Sequence, residues 1–226
     1  MITGSTVRGA TGSALERRPT LARLLVLIVL GAGIALLQLS FASPPGSPRF
    51  YLLSLALAAV WLAGGLLLGP ISWLPDRPRP FGRTIIAPIM VGLGLAAIFL
   101  LGAVIVHRVP VLDRVLAGVF DYADRGLPAL VLGITVINAA GEELFFRGAL
   151  WRLVREPYRL LATTLLYALA TIATGNPLLV FAAVLLALVV GRLRQVTGAV
   201  IAPILAHAAW SVTMLLAVPP LTSPGG

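Results

Sequence analysis

The chain has 226 residues, of which 59% are hydrophobic and only 11% are charged, and its mean hydropathy is +1.01. Soluble domains contain about 45–50% apolar and about 25% charged residues. The composition therefore excludes an ordinary soluble globule, a disordered chain and a nucleic-acid-binding domain. It predicts an integral membrane protein that crosses the bilayer several times.

The formal net charge is +9, and all 17 basic residues are arginines. In a chain this apolar, the positive charge predicts a cytoplasmic face that contacts membrane lipid rather than nucleic acid. Because the chain has no cysteine, disulfides, a thiol nucleophile and thiolate metal ligands are excluded. The arginine-only, Ala/Gly/Pro-rich composition is typical of a GC-rich bacterial genome, so a bacterial cell membrane is the expected location.

Hydrophobic windows of about 19 residues predict seven transmembrane helices, so the expected fold is an all-α, polytopic membrane helical bundle. The first span is longer than the apolar region of a signal peptide, which favours a retained helix. The fifth and sixth spans are short, and a hairpin that does not fully cross is an alternative for them. The predicted spans lie near 21–41, 51–74, 84–106, 127–151, 158–174, 177–192 and 197–218.

The arginines predict how the chain is organised and oriented. With the N-terminus inside, the inner segments hold 12 arginines and the outer segments hold 4, as the positive-inside rule requires; Arg147 lies within a span and is not counted. The C-terminus would then lie outside. Residues 1–20 would form a cytoplasmic segment, 21–126 the N-terminal helices, 127–218 a core and 219–226 a tail. Within 108–126, apolar residues at helical spacing predict an interfacial helix on the outer surface.

Only one predicted span contains a cluster of polar and charged residues, between Asn138 and Arg147. Ionisable residues inside a span are costly and are functional by default. Residues four apart share a helix face, so Asn138 lies with Glu142, and Glu143 pairs with Arg147. This pairing leaves Glu142 as the less compensated carboxylate, placed to act as a general base. The alternative is a structural ion pair plus one glutamate near the helix end.

A second polar position is His207 in the last span, with Ser211 one turn further on. Glu142 and His207 each lie about ten residues from the cytoplasmic end of their spans, which is about 15 Å at 1.5 Å per residue. Equal depth predicts that the two side chains share a site, although a lone histidine can also be a packing residue. The other histidine, His107, lies at the outer end of the third span, where an interfacial role is expected.

The segment Glu-Glu-Leu-Phe-Phe-Arg-Gly, which begins at Glu142, resembles the first motif of the CPBP family of intramembrane proteases. These proteins are relatives of the CAAX prenyl endopeptidase and of lysostaphin-resistance-like proteins. The resemblance covers about residues 127–215. The family pattern continues with Phe-x-x-x-His and then with His-x-x-x-Asn or Asp. In this chain Tyr167 takes the aromatic place, Thr171 replaces the histidine, and Ser211 replaces the last residue of the third motif.

The resemblance implies an intramembrane endopeptidase acting on a membrane-embedded or membrane-anchored peptide. It also makes zinc possible, but a catalytic zinc site typically needs three protein ligands, and with Thr171 in place of a histidine no cofactor is firmly implied. The expected nucleophile is instead a water activated by Glu142. His207 and Asn138 would orient this water or stabilise the oxyanion, and Thr171 would hold the water by a hydrogen bond.

Two other functions are compatible with the sequence. The first is a catalytically degenerate family member that acts as a membrane scaffold or an immunity-type regulator, since one expected histidine is missing. The second is a small transporter that uses Glu142 as a proton carrier. The first three spans contain no Asp, Glu or Lys, which weakens the transporter interpretation.

Overall fold

The structure, a computed structural model, describes residues 19–75 and 77–222, and in these ranges it is helical without strands. Most of the predicted N-terminal segment 1–20 lies outside the described residues. π-Helical turns precede α3 and join α5 to α6, at Gly82–Ile86 and Leu144–Leu150, and a 3-10 turn at Glu156–Tyr158 precedes α7. The α-helices are α1 (Pro19–Phe41), α2 (Pro48–Leu67), α3 (Ala87–Val106), α4 (Pro110–Asp124), α5 (Pro128–Glu143), α6 (Trp151–Leu153), α7 (Arg159–Ile172), α8 (Pro177–Thr197) and α9 (Ile201–Thr222).

Proline, asparagine and glycine set the helix ends. Pro128 and Pro177 stand at the start of α5 and α8. Proline is tolerated there because a backbone N–H in the first turn has no hydrogen-bond partner within the helix. Asn176 caps α8, because its Oδ1 accepts a hydrogen bond from the backbone N–H of Leu178 at 3.0 Å. Gly198 ends the same helix with φ of 71°, a left-handed conformation that glycine adopts without steric cost.

The described residues contain six helices that are long and apolar enough to cross a membrane. This finding confirms a polytopic helical bundle, but the number is one below the seven predicted spans. The predicted fifth span corresponds to α7, which has only 14 residues. At 1.5 Å per residue it is about 21 Å long, shorter than the hydrocarbon core of about 30 Å.

Several predicted span ends differ from the ends of the helices. The second span does not run to residue 74, because α2 ends at Leu67 and Gly69 follows with φ of 129°. The chain then extends so that Ser72 accepts a hydrogen bond from the N–H of Val200 at 2.8 Å. The last span does not end at residue 218, because α9 continues to Thr222. Residues 219–222 of the predicted tail are therefore helical.

The predicted amphipathic segment 108–126 forms α4. This helix is hydrogen-bonded to the end of α1 and to the turn between α7 and α8. Tyr122 donates a hydrogen bond from its hydroxyl to the carbonyl of Phe41 at 2.6 Å. The Asn176 amide donates to the carbonyl of Val115 at 2.9 Å. The turn between α7 and α8 therefore lies on the same side of the bundle as α4. The location of α4 at the outer membrane surface stays a prediction.

Close helix packing fixes the position of α9. A Cβ atom built on Gly92 of α3 would lie 2.2 Å from the backbone oxygen of Ala206. Only glycine permits this approach of the two backbones. On the other side of the bundle, the Trp61 ring of α2 contacts Phe145 and Phe146 at 5.1 and 5.3 Å between ring centroids. These contacts hold α9 against α3 and the π-helical segment Leu144–Leu150 against α2.

Candidate active site

The acidic motif lies where α5 changes its helical pitch. The α-helix ends at Glu143, and the following seven residues, Leu144–Leu150, form a π-helical segment in which every residue is buried. Such wide turns are rare and often occur at functional sites. Because the wide turn follows directly, Glu142 and Glu143 lie at the boundary between two helix geometries inside the bundle.

Glu143 and Arg147 form a buried ion pair, as their spacing predicts. Arg147 Nη1 donates to Glu143 Oε1 at 3.0 Å, and both side chains are 0% exposed. Arg147 Nη2 donates to the carbonyl of Ala187 on α8 at 3.2 Å. The guanidinium carbon also lies 5.1 Å from the centre of the Tyr167 ring, within the range of a cation–π contact. The pair therefore joins α5 to α7 and α8.

His207 links this pair to Glu142. Its Nδ1 lies 2.8 Å from Glu143 Oε1, and because an ionised carboxylate only accepts, Nδ1 carries the proton of this hydrogen bond. The opposite ring atom, Nε2, lies 3.9 Å from Glu142 Oε2. This separation is longer than a direct hydrogen bond but can be bridged by one water. The structure thus brings Glu142 and His207 together, as their equal depth predicts.

Tyr167 is the site residue that the sequence analysis missed. Its hydroxyl donates to Glu142 Oε2 at 2.5 Å, and its ring packs at 89° against Phe146 with 5.1 Å between centroids. The sequence places Tyr167 in the aromatic position of the family's second motif. A tyrosine there adds a hydroxyl that phenylalanine lacks, and this difference was the available signal. Whether that hydroxyl reaches Glu142 depends on how α7 packs.

Three other predicted site residues have different surroundings. Thr171 donates from its hydroxyl to the carbonyl of Tyr167 at 2.9 Å. The Asn138 amide donates to the carbonyl of Ser54 at 3.1 Å. Both side chains bond to backbone, and in the described chain neither forms a hydrogen bond with Glu142 or His207. Ser211 lines an apolar cavity of about 470 Å³ bounded by α2, α3, α4, α5, α8 and α9.

The described residues do not form a recognised three-ligand metal group. Among them, no group of three or more His, Asp or Glu side chains is placed to hold a metal. Glu143 Oε1 accepts from Arg147 and from His207 Nδ1, whereas its buried Oε2 has no described hydrogen-bond partner. A catalytic zinc site typically uses three protein ligands. Zinc binding therefore stays a prediction of the family resemblance.

The fold and the site define a polytopic membrane protein with an acid–histidine cluster inside its helical bundle. Residues 124–213 match the family model described as type II CAAX prenyl endopeptidase Rce1-like. The match includes the acidic motif, Tyr167, Thr171, His207 and Ser211, and it confirms the predicted resemblance to the CPBP family of membrane proteases. The family suggests a CAAX-protease-type intramembrane peptidase. No curated protein and no solved structure matches the chain.

Proposed function

We propose that the protein is an intramembrane endopeptidase of the CAAX-protease-like type, which hydrolyses a peptide bond with a water activated by Glu142. One observation carries the proposal: Glu142 Oε2 accepts from the Tyr167 hydroxyl and lies 3.9 Å from His207 Nε2. The three side chains come from α5, α7 and α9. They place a hydroxyl that donates a hydrogen bond and a ring nitrogen that can accept one from water beside the same carboxylate oxygen.

The reaction begins with a water between Glu142 and His207. Glu142 removes a proton from this water as the water oxygen bonds to the carbonyl carbon of the substrate. The carbonyl oxygen becomes an oxyanion that accepts a hydrogen bond from Tyr167, while His207 Nε2, which carries no proton, accepts a hydrogen bond from the water and orients it. Glu142 then transfers its proton to the amide nitrogen, and the C–N bond breaks to give a carboxylic acid and an amine. Each oxyanion donor is typically worth about 10²–10³ in rate.

Tyr167 has two partners in this scheme. While Glu142 is ionised, the Tyr167 hydroxyl donates to it at 2.5 Å. Once Glu142 has taken the proton, its oxygen is a weaker acceptor than the new oxyanion. The hydroxyl then rotates towards the oxyanion. Tyr167 in this way supplies the polar group that Thr171, bonded to its own helix, does not supply.

Glu143 and Arg147 act as positioning residues. Glu143 accepts the Nδ1–H of His207 and so fixes which ring nitrogen faces Glu142. Arg147 in turn holds the Glu143 carboxylate. Neither residue contacts the reacting atoms, so their replacement would act through the orientation of His207.

The substrate is proposed to be a membrane-embedded or membrane-anchored peptide or protein. Glu142 lies in the candidate span Pro128–Leu153, and its side chain is only 18% exposed. A peptide bond must therefore enter the helical bundle to meet the water. The proposed location is a bacterial cell membrane with the N-terminus in the cytoplasm and the C-terminus outside, as the arginine distribution predicts.

The test is proteolysis by the purified full chain in lipid nanodiscs, with a library of membrane-protein peptides and detection of new termini by mass spectrometry. We expect cleavage by the wild type and its loss in Glu142→Gln. A matched control is Asp124→Asn, since Asp124 is an exposed carboxylate at the end of α4. Full activity of Glu142→Gln would refute the proposed mechanism.

One observation favours the second candidate function, a scaffold or immunity-type regulator without peptidase activity. Thr171 stands where the family has a histidine, and its hydroxyl bonds to the backbone of α7. A folded wild type that cleaves no library peptide would favour this function. In the peptidase interpretation, Thr171→His is expected to raise the cleavage rate or to create sensitivity to zinc, because it restores a basic ligand.

A further inference from the structure

A polar cavity, separate from the candidate active site, lies where α6, α7 and α8 meet. Its volume is about 370 Å³, and we call it the arginine cavity. Four of its lining residues are arginines, whereas one described lining residue is acidic, Glu156. The arginines are Arg152, Arg159, Arg192 and Arg194. We propose that the arginine cavity binds the phosphate headgroup of an anionic phospholipid.

The arginines are held in place by hydrogen bonds to backbone and to a neighbouring side chain. Arg194 is 6% exposed, and its Nε donates to the carbonyl of Arg147 at 2.8 Å. Arg159 Nε donates to the carbonyl of Val154 at 3.1 Å. Arg192 Nη1 donates to Gln195 Oε1 at 3.0 Å. These contacts orient the guanidinium groups before any ligand binds, which lowers the entropy lost on binding.

Two of these arginines keep donors for a ligand. In the part of the chain that the structure describes, the terminal nitrogens of Arg159 form no hydrogen bond. Arg192 uses only Nη1, and no described carboxylate lies within 4.0 Å of either side chain. A guanidinium presents a planar array of donors that matches phosphate oxygens. The chemistry of the cavity therefore favours an anionic phosphate group over a neutral or cationic ligand.

The position of the cavity favours a lipid as the source of the phosphate. The cavity lies at the ends of two candidate spans, Pro128–Leu153 and Pro177–Thr197. Trp151 lines it, and indole rings are enriched at the level of the headgroups. Basic pockets between helices on the cytoplasmic side are typical binding sites for anionic headgroups. At about 30 Å³ per water, the volume corresponds to about twelve waters, which is enough for a phosphate with its glycerol.

The experiment measures lipid retention by the full chain with native mass spectrometry, after purification in nanodiscs of phosphatidylcholine mixed with phosphatidylglycerol. We expect the wild type to retain phosphatidylglycerol in preference to phosphatidylcholine. The double variant Arg159→Gln/Arg192→Gln should bind phosphatidylglycerol at least tenfold more weakly, since each charge-assisted contact is worth about one order of magnitude. The control is Arg77→Gln/Arg83→Gln, because both arginines are exposed and outside the cavity.

Thermal unfolding is measured for the wild type and both double variants. A similar unfolding transition in all three shows that folded proteins are being compared. Equal phosphatidylglycerol retention by the cavity variant and the control variant would overturn the proposal. Displacement of the lipid by millimolar inorganic phosphate would overturn the assignment to a lipid and identify a soluble phosphate as the ligand. Because the readout is binding, the result is independent of peptidase activity.

Discussion

Replacing Arg147 by methionine removes a positive charge from the interior while keeping a long, flexible side chain. Glu143 is 0% exposed, and after the replacement its only described hydrogen-bond donor is His207 Nδ1. The carbonyl of Ala187 also loses the donor that it had from Arg147. We therefore expect Arg147→Met to destabilise the protein much more than the loss of one surface arginine.

The expected magnitude follows from the burial of both partners. Removing one member of a buried ion pair costs about 3–5 kcal/mol, because the other charge remains without compensation. Domains are stable by only about 5–15 kcal/mol, so this loss is a large share of the total. The double variant Glu143→Gln/Arg147→Met removes both charges, and such replacements are often close to neutral. It should therefore recover most of the stability lost in the single variant.

The assay is equilibrium unfolding of the full chain in mixed micelles with increasing SDS, followed by circular dichroism. Arg83→Met is the matched control, since Arg83 is exposed. The expected order of stability is control, then double variant, then Arg147→Met. The reasoning is refuted if Arg147→Met unfolds together with the control, or if the double variant is no more stable than the single one.

Three other predictions concern chemistry, packing and topology. Tyr167→Phe should lower kcat by about 10²–10³ with little change in KM, as measured by peptide cleavage, and an unchanged kcat would exclude the hydroxyl from the reaction. Gly92→Ala should destabilise the protein by about 1–3 kcal/mol in SDS unfolding, because its Cβ would meet the α9 backbone at 2.2 Å, whereas Gly94→Ala has open space and should be tolerated. An alkaline-phosphatase fusion after Gly226 should be active in a bacterial host and one after Arg194 inactive; the reverse result would invert the predicted orientation.

Local spacing predicted the parts of the site that depend on one helix. The i, i+4 relation between Glu143 and Arg147 needs only helical geometry, and their ion pair is present at 3.0 Å. Equal depth predicted the approach of Glu142 and His207, because straight spans convert residue number into depth. Neither prediction depends on the exact span ends, so both tolerate errors of several residues such as the early end of α2 at Leu67.

The remaining features depend on packing between helices, which spacing does not determine. Thr171 and Tyr167 lie one turn apart on α7, and the sequence analysis assigned Thr171 but not Tyr167 to the site. The rotation of α7 against α5 decides which side chain points inward, and it turns the Tyr167 hydroxyl to the carboxylate. The π-helical segment Leu144–Leu150 was likewise not predictable, because its residues have no periodicity that differs from that of an α-helix.

The π-helical segment also sets how the two sites are oriented relative to each other. A π-helical turn holds about one residue more than an α-helical turn, so if Leu144–Leu150 tightened into an ordinary α-helix with all its residues kept, everything after it would rotate by about 100° relative to α5. Glu142 would keep its place on α5, but Arg152 would turn away from the arginine cavity that it lines. A single substitution elsewhere changes one contact, whereas a change of pitch in this segment changes the orientation of two sites relative to each other. The pitch of the segment is thus a structural constraint in addition to the identity of its residues.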